Sequence, residues 1–310
     1  MKFTIYQNSR QGQRPYNQDR LAYSYSKDAV LLVVADGMGG HRHGEIAAQL
    51  AVKMLTDAFQ SQATPALADP AEFLSNQVKQ VHAAIDKHAA THELLESPRT
   101  TIVVAILQHN EFFCAHVGDS RLYHFRNGQL LYKTEDHSVV QLLHKRGLLD
   151  KKGMSSHPDR SKIYNCLGGD KAPKIDIAQT KDLRNGDVFL LCTDGLWSVV
   201  DDKEIGVMLN AGPVNVTVPK LLDLAESLSS EAEHGDNMSA IGLQWQELQD
   251  DSPGVSTVTM PLDATTTIIN PPTHQSTIRD DAGQDAPDLT DEEIEKAIQE
   301  IQDAIQKTMR

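Results

Sequence analysis

The sequence has few cysteines, and it lacks both a long apolar run and an excess of positive charge. Its three cysteines, Cys114, Cys166 and Cys192, are far apart in the chain, which excludes a disulfide framework and a closely spaced zinc motif. No apolar run approaches the roughly 20 residues that cross a bilayer, and the N-terminal residues lack the pattern of a signal peptide. We therefore expect a cytoplasmic protein with reduced cysteines and no membrane partner.

Acidic residues exceed basic ones, and most of the excess lies near the C-terminus. The net charge is −14, and residues 250–310 carry 13 acidic and 4 basic side chains, a net charge of −9. This leaves a net charge of −5 for residues 1–249. A protein that binds nucleic acid needs a basic surface that neutralises phosphates, so we expect no nucleic-acid partner.

The predicted elements do not alternate regularly between strand and helix, and the sequence has no internal repeat. Apolar runs predict several strands, interrupted by two long amphipathic helices between residues 45 and 92. Asp69-Pro70 predicts the start of the second helix, and Asn127-Gly128 predicts the turn of a β-hairpin. This order excludes a doubly wound parallel sheet and predicts an α+β fold of antiparallel sheets covered by helices.

Composition divides the chain into three parts. Residues 1–247 have the periodicity of a folded domain, whereas residues 248–288 are acidic and rich in Thr and Pro, which predicts a disordered linker. In Thr265-Thr266-Thr267-Ile268-Ile269, the first two threonines precede isoleucines by three residues, a spacing that phosphothreonine-binding domains recognise; a plain solvated linker is the alternative. Residues 289–310 predict an amphipathic helix that begins with a capping box. Packing on the domain, self-association and docking to a partner protein are its alternative roles.

Four aspartates stand next to glycines at the ends of apolar runs or in tight turns: Asp36, Asp119, Asp194 and Asp236. A single Asp-Gly pair is also a common turn, but four such sites without matching basic residues require a counter-ion. Mg²⁺ and Mn²⁺ prefer oxygen ligands from a few carboxylates and water. We therefore predict a centre of two such ions, which lowers the pKa of a bound water toward about 7 and makes it a nucleophile.

A polar loop at residues 9–19 supplies the candidates for binding a phosphate. A guanidinium forms bidentate hydrogen bonds with phosphate oxygens. Arg14 is the first candidate and Arg10 the second. A solvated loop charge is the alternative interpretation for either residue.

These residues belong to a series of motifs that resembles the metal-dependent protein phosphatases, the type 2C serine/threonine phosphatases, in their bacterial form. The resemblance extends over residues 1–247 and keeps the family's order. One such motif is weak, but the whole series is specific. The matching segments are Arg14-Pro15-Tyr16-Asn17-Gln18-Asp19, Val34-Ala35-Asp36-Gly37-Met38-Gly39-Gly40, Gly44-Glu45, Thr100-Thr101, Val117-Gly118-Asp119-Ser120-Arg121, Asp136-His137-Ser138, Leu167-Gly168, Thr193-Asp194-Gly195-Leu196 and Asp236-Asn237-Met238-Ser239.

The resemblance implies a four-layer sandwich, in which two central antiparallel sheets are flanked by helices and the metal ions lie in a cleft at one end. By the family's pattern, Asp36 bridges two ions and the carbonyl of Gly37 ligates one of them. Asp194 and Asp236 hold the other ion. Asp119 resembles the ligand of a third, weaker ion found in bacterial members.

The same pattern implies supporting roles for residues around these ligands. Arg14 binds the substrate phosphate, Asp19 orients water at the metal centre, and Asn237 supports Asp236. Gln18 stands where many relatives have Glu, which implies a weaker contact with the second ion. The resemblance therefore predicts a complete metal site in which one supporting residue, Gln18, differs from the family's usual Glu.

Met38 occupies a position at which some relatives have a histidine, proposed as the general acid. His41 and His43 lie nearby in the sequence, but roles in a turn and a helix start are the simpler interpretation for both. Residues 148–163 match the family's flap beside the active site. The sequence thus leaves unassigned the group that protonates the leaving alkoxide.

Together these features predict a Mn²⁺- or Mg²⁺-dependent hydrolase that removes phosphate from phosphoserine and phosphothreonine of proteins. Its expected partners are phosphorylated proteins and a bacterial Ser/Thr kinase that it opposes in signalling. Two alternatives stay open: a phosphoprotein-binding module without turnover, and a phosphatase of a partner-switching regulator or small phosphoester.

Overall fold

The computed structural model describes residues 1–38, 43–230 and 235–246, together with the backbone of residues 266–269. The strands are β1 (Lys2–Arg10), β2 (Asp19–Tyr25), β3 (Ala29–Asp36), β4 (Ile102–Gln108), β5 (Glu111–Val117), β6 (Arg121–Arg126), β7 (Gln129–Lys133), β8 (Asp176–Thr180), β9 (Val188–Cys192), β10 (Met238–Gln246) and β11 (Thr266–Ile269). The helices are α1 (Gly44–Gln62), α2 (Pro70–Thr91), α3 (Val139–Lys145), α4 (Lys151–Ser156), α5 (Asp194–Trp197), α6 (Asp202–Leu209) and α7 (Val214–Ser230).

The strands form two antiparallel sheets. The five-stranded sheet has the order β1-β10-β9-β6-β7, and the six-stranded sheet has the order β11-β2-β3-β4-β5-β8. Every pair of neighbouring strands runs antiparallel. The predicted α+β fold with two central antiparallel sheets is therefore confirmed.

Three apolar clusters show how the sheets and helices form four layers. Successive side chains of a strand point to opposite faces, so Leu31 and Val33 of β3 pack with α1 and α2. Leu32 and Val34 pack between the two sheets. The third cluster, which includes Leu190 of β9, fills the space between the five-stranded sheet and α5, α6 and α7. The apolar run that ends at Asp36 is buried on both faces, which makes it a rigid support.

Local signals in the sequence are confirmed at several element boundaries. Asp69 caps α2, because its carboxylate accepts a hydrogen bond of 2.9 Å from the backbone N–H of Glu72. Asn127 and Gly128 both have positive φ, as a type I′ hairpin turn between β6 and β7 requires. Gly147 follows α3 with a φ of 70°, a conformation that glycine adopts at low cost.

The predicted flap and linker contain regular elements, and part of the predicted C-terminal structure lies outside the described residues. The predicted irregular flap at 148–163 contains the short helix α4. Within the predicted linker at 248–288, the backbone of 266–269 forms a strand, while its other residues and the predicted helix at 289–310 lie outside the described residues. Across the described ranges, no helix is long and apolar enough to cross a membrane.

Candidate metal and phosphate site

Aspartates from both sheets meet at one end of the sandwich. Asp36 ends β3, and Asp19 at the start of β2 lies opposite it in the antiparallel register. Asp119 follows β5, and Asp194 begins α5 directly after β9. The chain crosses from one sheet to the other or turns back at these points, so its strand ends bring distant carboxylates together.

Asp36, Asp119 and Asp194 line a cavity of about 360 Å³. Four of the five predicted metal-ligating residues are aspartates, and all five line the cavity together with the predicted phosphate-binding arginine. The cavity is lined by Arg14, Pro15, Tyr16, Gln18, Asp36, Gly37, Met38, Thr101, Asp119, Ser161, Ile163, Asp194, Asp236 and Asn237.

Hydrogen bonds from Thr100 and Thr101 hold the backbone of Asp36. The carbonyl oxygen of Asp36 accepts hydrogen bonds from the N–H of Thr101 at 2.9 Å and the hydroxyl of Thr100 at 2.8 Å. The N–H of Asp36 donates to the hydroxyl of Thr101 at 3.2 Å. With the backbone held on both sides, the carboxylate of Asp36 has little freedom to move away from the cavity.

Glycines allow two close approaches of backbone beside the carboxylates. A Cβ atom on Gly37 would lie 2.5 Å from the carbonyl oxygen of Gly44. A Cβ atom on Gly195 would lie 2.0 Å from the carbonyl oxygen of Asn237. Any larger residue would push these segments apart, so the glycines keep Asp36, Asp194 and Asp236 on neighbouring walls.

Burial and mutual repulsion raise the pKa values of four carboxyl groups in this region, those of Asp19, Asp36, Asp119 and Asp194. Burial is the largest cause for each, followed by neighbouring carboxylates. The pKa values of Asp36 and Asp194 are raised well above the usual 3.8. The pKa of Asp19 rises to about 6 and that of Asp119 to about 7. The site therefore stores unfavourable electrostatic energy at neutral pH, which a bound cation would remove.

The donor atoms present fit hard divalent cations. The Oδ2 of Asp19 accepts a hydrogen bond of 2.9 Å from the hydroxyl of Thr193. Its Oδ1 is buried and has no hydrogen-bond partner, which is costly for a carboxylate unless a cation or a bound water satisfies it. The cavity is lined by carboxylate and carbonyl oxygens, the donor atoms that Mg²⁺ and Mn²⁺ prefer. The residues thus fit a group of divalent ions.

Arg14 forms a bidentate ion pair with Asp236 at the mouth of the cavity. Its Nε and Nη2 donate hydrogen bonds of 2.9 and 2.7 Å to the two carboxylate oxygens of Asp236. The Arg14 side chain is 50% exposed, so the guanidinium remains accessible from solvent. Arg10, the second candidate, instead pairs with Asp223 and Glu226 of α7. The structure therefore separates the two candidates and leaves Arg14 beside the carboxylates.

Asn237 joins the carboxylates to the Arg14 loop, which connects β1 to β2. Its Nδ2 donates to the carbonyls of Gln11 and Tyr16 at 2.7 and 3.1 Å. Its Oδ1 accepts from the N–H of Gln18 at 2.9 Å. These bonds fix the loop on either side of Arg14, so the role of Asn237 extends beyond the predicted support of Asp236.

Gln18 lines the cavity, and its side chain contacts Glu45. Its Nε2 donates a hydrogen bond of 3.0 Å to Glu45 in the first turn of α1, so its direct contact is with that carboxylate. Among the described residues, no histidine lines the cavity, whereas Met38 does. His43 lies at the N-cap of α1 with a φ of 68°, consistent with the helix-start interpretation, and His41 lies outside the described residues.

His137 supports the site from outside the cavity. It stands in the motif Asp136-His137-Ser138, but the sequence predicts no role for it. Its Nδ1 accepts a hydrogen bond of 3.1 Å from the N–H of Gly118, next to Asp119. Its Nε2 lies 3.2 Å from the carboxylate of Asp176. The same ring stacks on His116 at 4.7 Å between centroids. These contacts anchor the turn that carries Asp119, and the Asp-His-Ser motif was the only signal for them.

His116, His137 and Asp176 also have ligand atoms within 4.8 Å of one another. The ring nitrogens already have partners, because Nε2 of His116 bonds the carbonyl of Glu135 at 2.8 Å. Parallel stacked imidazoles also cannot direct their lone pairs at one ion. We therefore interpret this cluster as a support for the Asp119 turn.

The comparison with protein families identifies the chain. A model of the family described as Protein phosphatase 2C matches residues 7–233. The chain belongs to this family, which is metal-dependent. The membership confirms the resemblance seen in the motifs.

Curated relatives carry names that agree with this family. A protein of Listeria welshimeri named serine/threonine phosphatase stp is 33% identical over 200 residues, which are 64% of this chain and 79% of that protein. The Mycobacterium tuberculosis serine/threonine protein phosphatase PstP is 35% identical over 198 residues, which are 64% of this chain and 37% of that protein. The predicted function of serine/threonine phosphatase is confirmed at this level.

Solved structures show the same fold. A crystal structure of M. tuberculosis PstP aligns with a TM-score of 0.70 and 30% identity, covering 79% of this chain and 99% of that one. The catalytic domain of PstP in complex with two manganese ions aligns with a TM-score of 0.66 and 28% identity, again over 79% and 99% of the two chains. The likeness therefore includes a structure that holds a pair of divalent ions.

We predict that Asp36→Asn stabilises the metal-free protein at pH 7.5 and abolishes its stabilisation by Mn²⁺. The substitution removes a charge that the neighbouring carboxylates repel. A gain of several degrees in Tm is expected, since about 1 kcal/mol shifts the Tm of a domain of this size by roughly 2–4 °C. Thermal unfolding with EDTA and with Mn²⁺ measures both effects.

The pH dependence of this stability has a defined sign. Raised pKa values mean that the folded state binds more protons than the unfolded state, so the metal-free protein loses stability as pH rises from about 5 to 8. Asp36→Asn should flatten this slope, whereas Asp170→Asn, at an exposed position, should leave it unchanged. An unaltered slope in Asp36→Asn would contradict the electrostatic account.

Proposed function

We propose that the protein is a Mn²⁺- or Mg²⁺-dependent phosphatase that acts in the cytoplasm on phosphoserine and phosphothreonine of proteins phosphorylated by a Ser/Thr kinase. The observation that carries this proposal is the convergence of Asp36, Asp119, Asp194 and Asp236 on one cavity with Arg14 at its mouth. Two ions held by the aspartates, and a third at Asp119, would make the site a complete centre for phosphoester hydrolysis.

The aspartates and Gly37 supply the oxygen ligands, while the protein scaffold supplies their placement. When bound, a pair of divalent ions acts as a Lewis acid and lowers the pKa of water so that a nucleophile forms at neutral pH. Asp36 lies where both sheets meet and is suited to a bridging position. The unpartnered Oδ1 of Asp19 is suited to accept a hydrogen bond from water in the cavity and to orient it.

Arg14 is suited to bind the phosphate because its guanidinium already presents two parallel N–H groups. Those groups now contact both oxygens of Asp236, and a phosphate offers the same paired-acceptor geometry. Metal ligation by Asp236 would compete with this ion pair and release the guanidinium toward substrate. The exposed position of Arg14 at the cavity mouth favours a phosphate at the end of a protein side chain.

Hydrolysis of a phosphothreonine peptide tests the proposal. We expect activity with Mn²⁺, none with EDTA, and a loss of kcat of at least about 100-fold in Asp194→Asn, because loss of a ligand should exceed the 10–100-fold effect of a supporting residue. Phosphate release measures the rate, and Asp170→Asn is the matched control. Absence of phosphate release in the presence of metal, together with retained peptide binding, would favour the binding-module alternative.

The same assay separates the substrate classes. A phosphothreonine peptide and an autophosphorylated Ser/Thr kinase domain should both be hydrolysed with a higher kcat/KM than p-nitrophenyl phosphate. The reverse order would favour a small phosphoester as substrate. A phosphorylated regulator hydrolysed far faster than both protein substrates would favour a partner-switching role.

Arg14→Ala should lower kcat/KM for the phosphopeptide by about 10- to 100-fold, mainly through KM. The expected loss is that of about one hydrogen bond to a charged group, about 1.5–3 kcal/mol, because solvent weakens the bidentate contact of this half-exposed side chain. The kcat/KM of Arg14→Lys should lie between those of the wild type and Arg14→Ala, since lysine keeps the charge but not the bidentate geometry. Steady-state kinetics measures the effect.

Arg10→Ala is the control for this experiment. Arg10 ends β1, directly before the loop that carries Arg14, and pairs with Asp223 and Glu226, so its removal should leave KM unchanged. Equal effects of the two alanine substitutions would count against a specific role for Arg14.

The helix predicted at 289–310 is proposed to dock a partner protein. Its apolar stripe includes Ile298 and Ile301, and helices of this pattern bind in apolar grooves. Ile298→Glu should weaken capture of the cognate kinase by the full chain at least about tenfold, whereas Gln299→Glu, off the stripe, should not. Equal capture of the kinase by both variants would contradict the proposal.

A further inference from the structure

The backbone of residues 266–269 extends the six-stranded sheet. β11 pairs antiparallel with β2, in a register from Thr266 opposite Tyr25 to Ile269 opposite Ala22. Without β11, the outermost strand on this side would be β2, whose other neighbour is β3. Such an edge presents unpaired N–H and C=O groups and accepts further strands.

The sequence of this segment suits a short added strand. Thr266, Thr267, Ile268 and Ile269 are all branched at Cβ, and such residues favour the extended conformation. The proline pair at 271–272 follows directly, and proline cannot continue a hydrogen-bonded ladder. A four-residue strand is too short to persist alone, so its pairing depends on the edge of β2.

The path of the chain favours docking within one molecule. β10 ends at Gln246, opposite Lys2 of β1. The neighbouring Phe3 contacts the ring of Tyr25, with 5.7 Å between ring centroids, and Tyr25 is opposite Thr266. Gln246 and Thr266, the described residues on either side of 247–265, therefore lie in the same region of the domain. A linker of this kind gives an effective concentration on the order of millimolar.

We propose that the outer edge of β2 is a strand-docking site, and that residues 266–269 of the same chain occupy it. The docked strand tethers the C-terminal segment to the phosphatase domain. The family model matches only as far as residue 233, so the docked strand lies outside the part of the chain that carries the family's likeness.

The direction of β11 determines where the tether leads. β2 begins at Asp19, opposite Asp36 at the cavity, and β11 runs antiparallel to β2. The chain therefore runs along β11 toward the end of β2 that lies at the cavity, and the strand ends at Ile269. Docking thus directs the described strand, at Ile269, toward the end of the sandwich that holds the aspartates.

Hydrogen–deuterium exchange of the full chain tests the docking. In Thr267→Pro/Ile268→Pro, one proline must remove a donor to β2, because successive N–H groups of a strand point to opposite edges. Amides of residues 19–25 that do not bond to β3 should exchange at least about tenfold faster than in the wild type. The matched control is Thr257→Pro/Val258→Pro, which places two prolines in the same linker outside β11 and should change nothing.

Three outcomes would overturn the proposal. Equal exchange of residues 19–25 in the wild type and Thr267→Pro/Ile268→Pro would show that nothing is docked there. Accelerated exchange throughout the sheet, with a lowered Tm, would show a loss of domain stability unrelated to docking. Protection of β2 that falls on dilution, with a dimer seen by sedimentation, would assign the edge to a second copy.

Discussion

Repulsion among buried carboxylates is the interaction on which the rest of the site depends. Asp36, Asp119 and Asp194 have raised pKa values because burial removes water and each faces other carboxylates. No isolated stretch of backbone would bring such groups together, since the arrangement is unfavourable without a cation. The apolar layers that stabilise the sandwich must therefore offset this electrostatic cost. A bound cation would replace the net repulsion with net attraction between the ion and the carboxylates.

The scaffold tolerates this repulsion because it is held from several directions. The hydroxyl and backbone groups of Thr100 and Thr101 bond the backbone of Asp36. Asn237 links the Arg14 loop to the start of β10. His137 anchors the turn before Asp119. Each of these contacts joins segments that are far apart in the sequence, so the site is a product of the two-sheet architecture as a whole.

The strand β2 connects the end of the sandwich that holds the aspartates to the edge of the six-stranded sheet. Its first residue, Asp19, lies opposite Asp36, while Ala22 to Tyr25 pair with the strand at 266–269. An antiparallel partner on this strand necessarily points back toward the site. The geometry of a single strand thus relates the position of the C-terminal segment to the cavity.

Features that depend on nearest neighbours in sequence could be predicted without the structure. The cap at Asp69, the turn at Asn127-Gly128 and the strand that ends at Asp36 all follow from local conformational preferences and periodicity. The four aspartates beside glycines also predict a metal centre by their residue types and positions alone. The order of the motifs then implied the two-sheet fold, which the structure confirmed.

Features that depend on distant contacts required the tertiary structure. The choice between Arg10 and Arg14 was open in the sequence, because both occupy one polar loop, and only the packing of α7 against β1 gives Arg10 other partners. The role of His137 and the pairing of 266–269 with β2 were likewise hidden, since each is decided by a hydrogen bond across the fold. The sequence by itself determined which groups could hold a cation and a phosphate. Their meeting in one cavity was decided by strand register and by the close backbone contacts that only glycine permits.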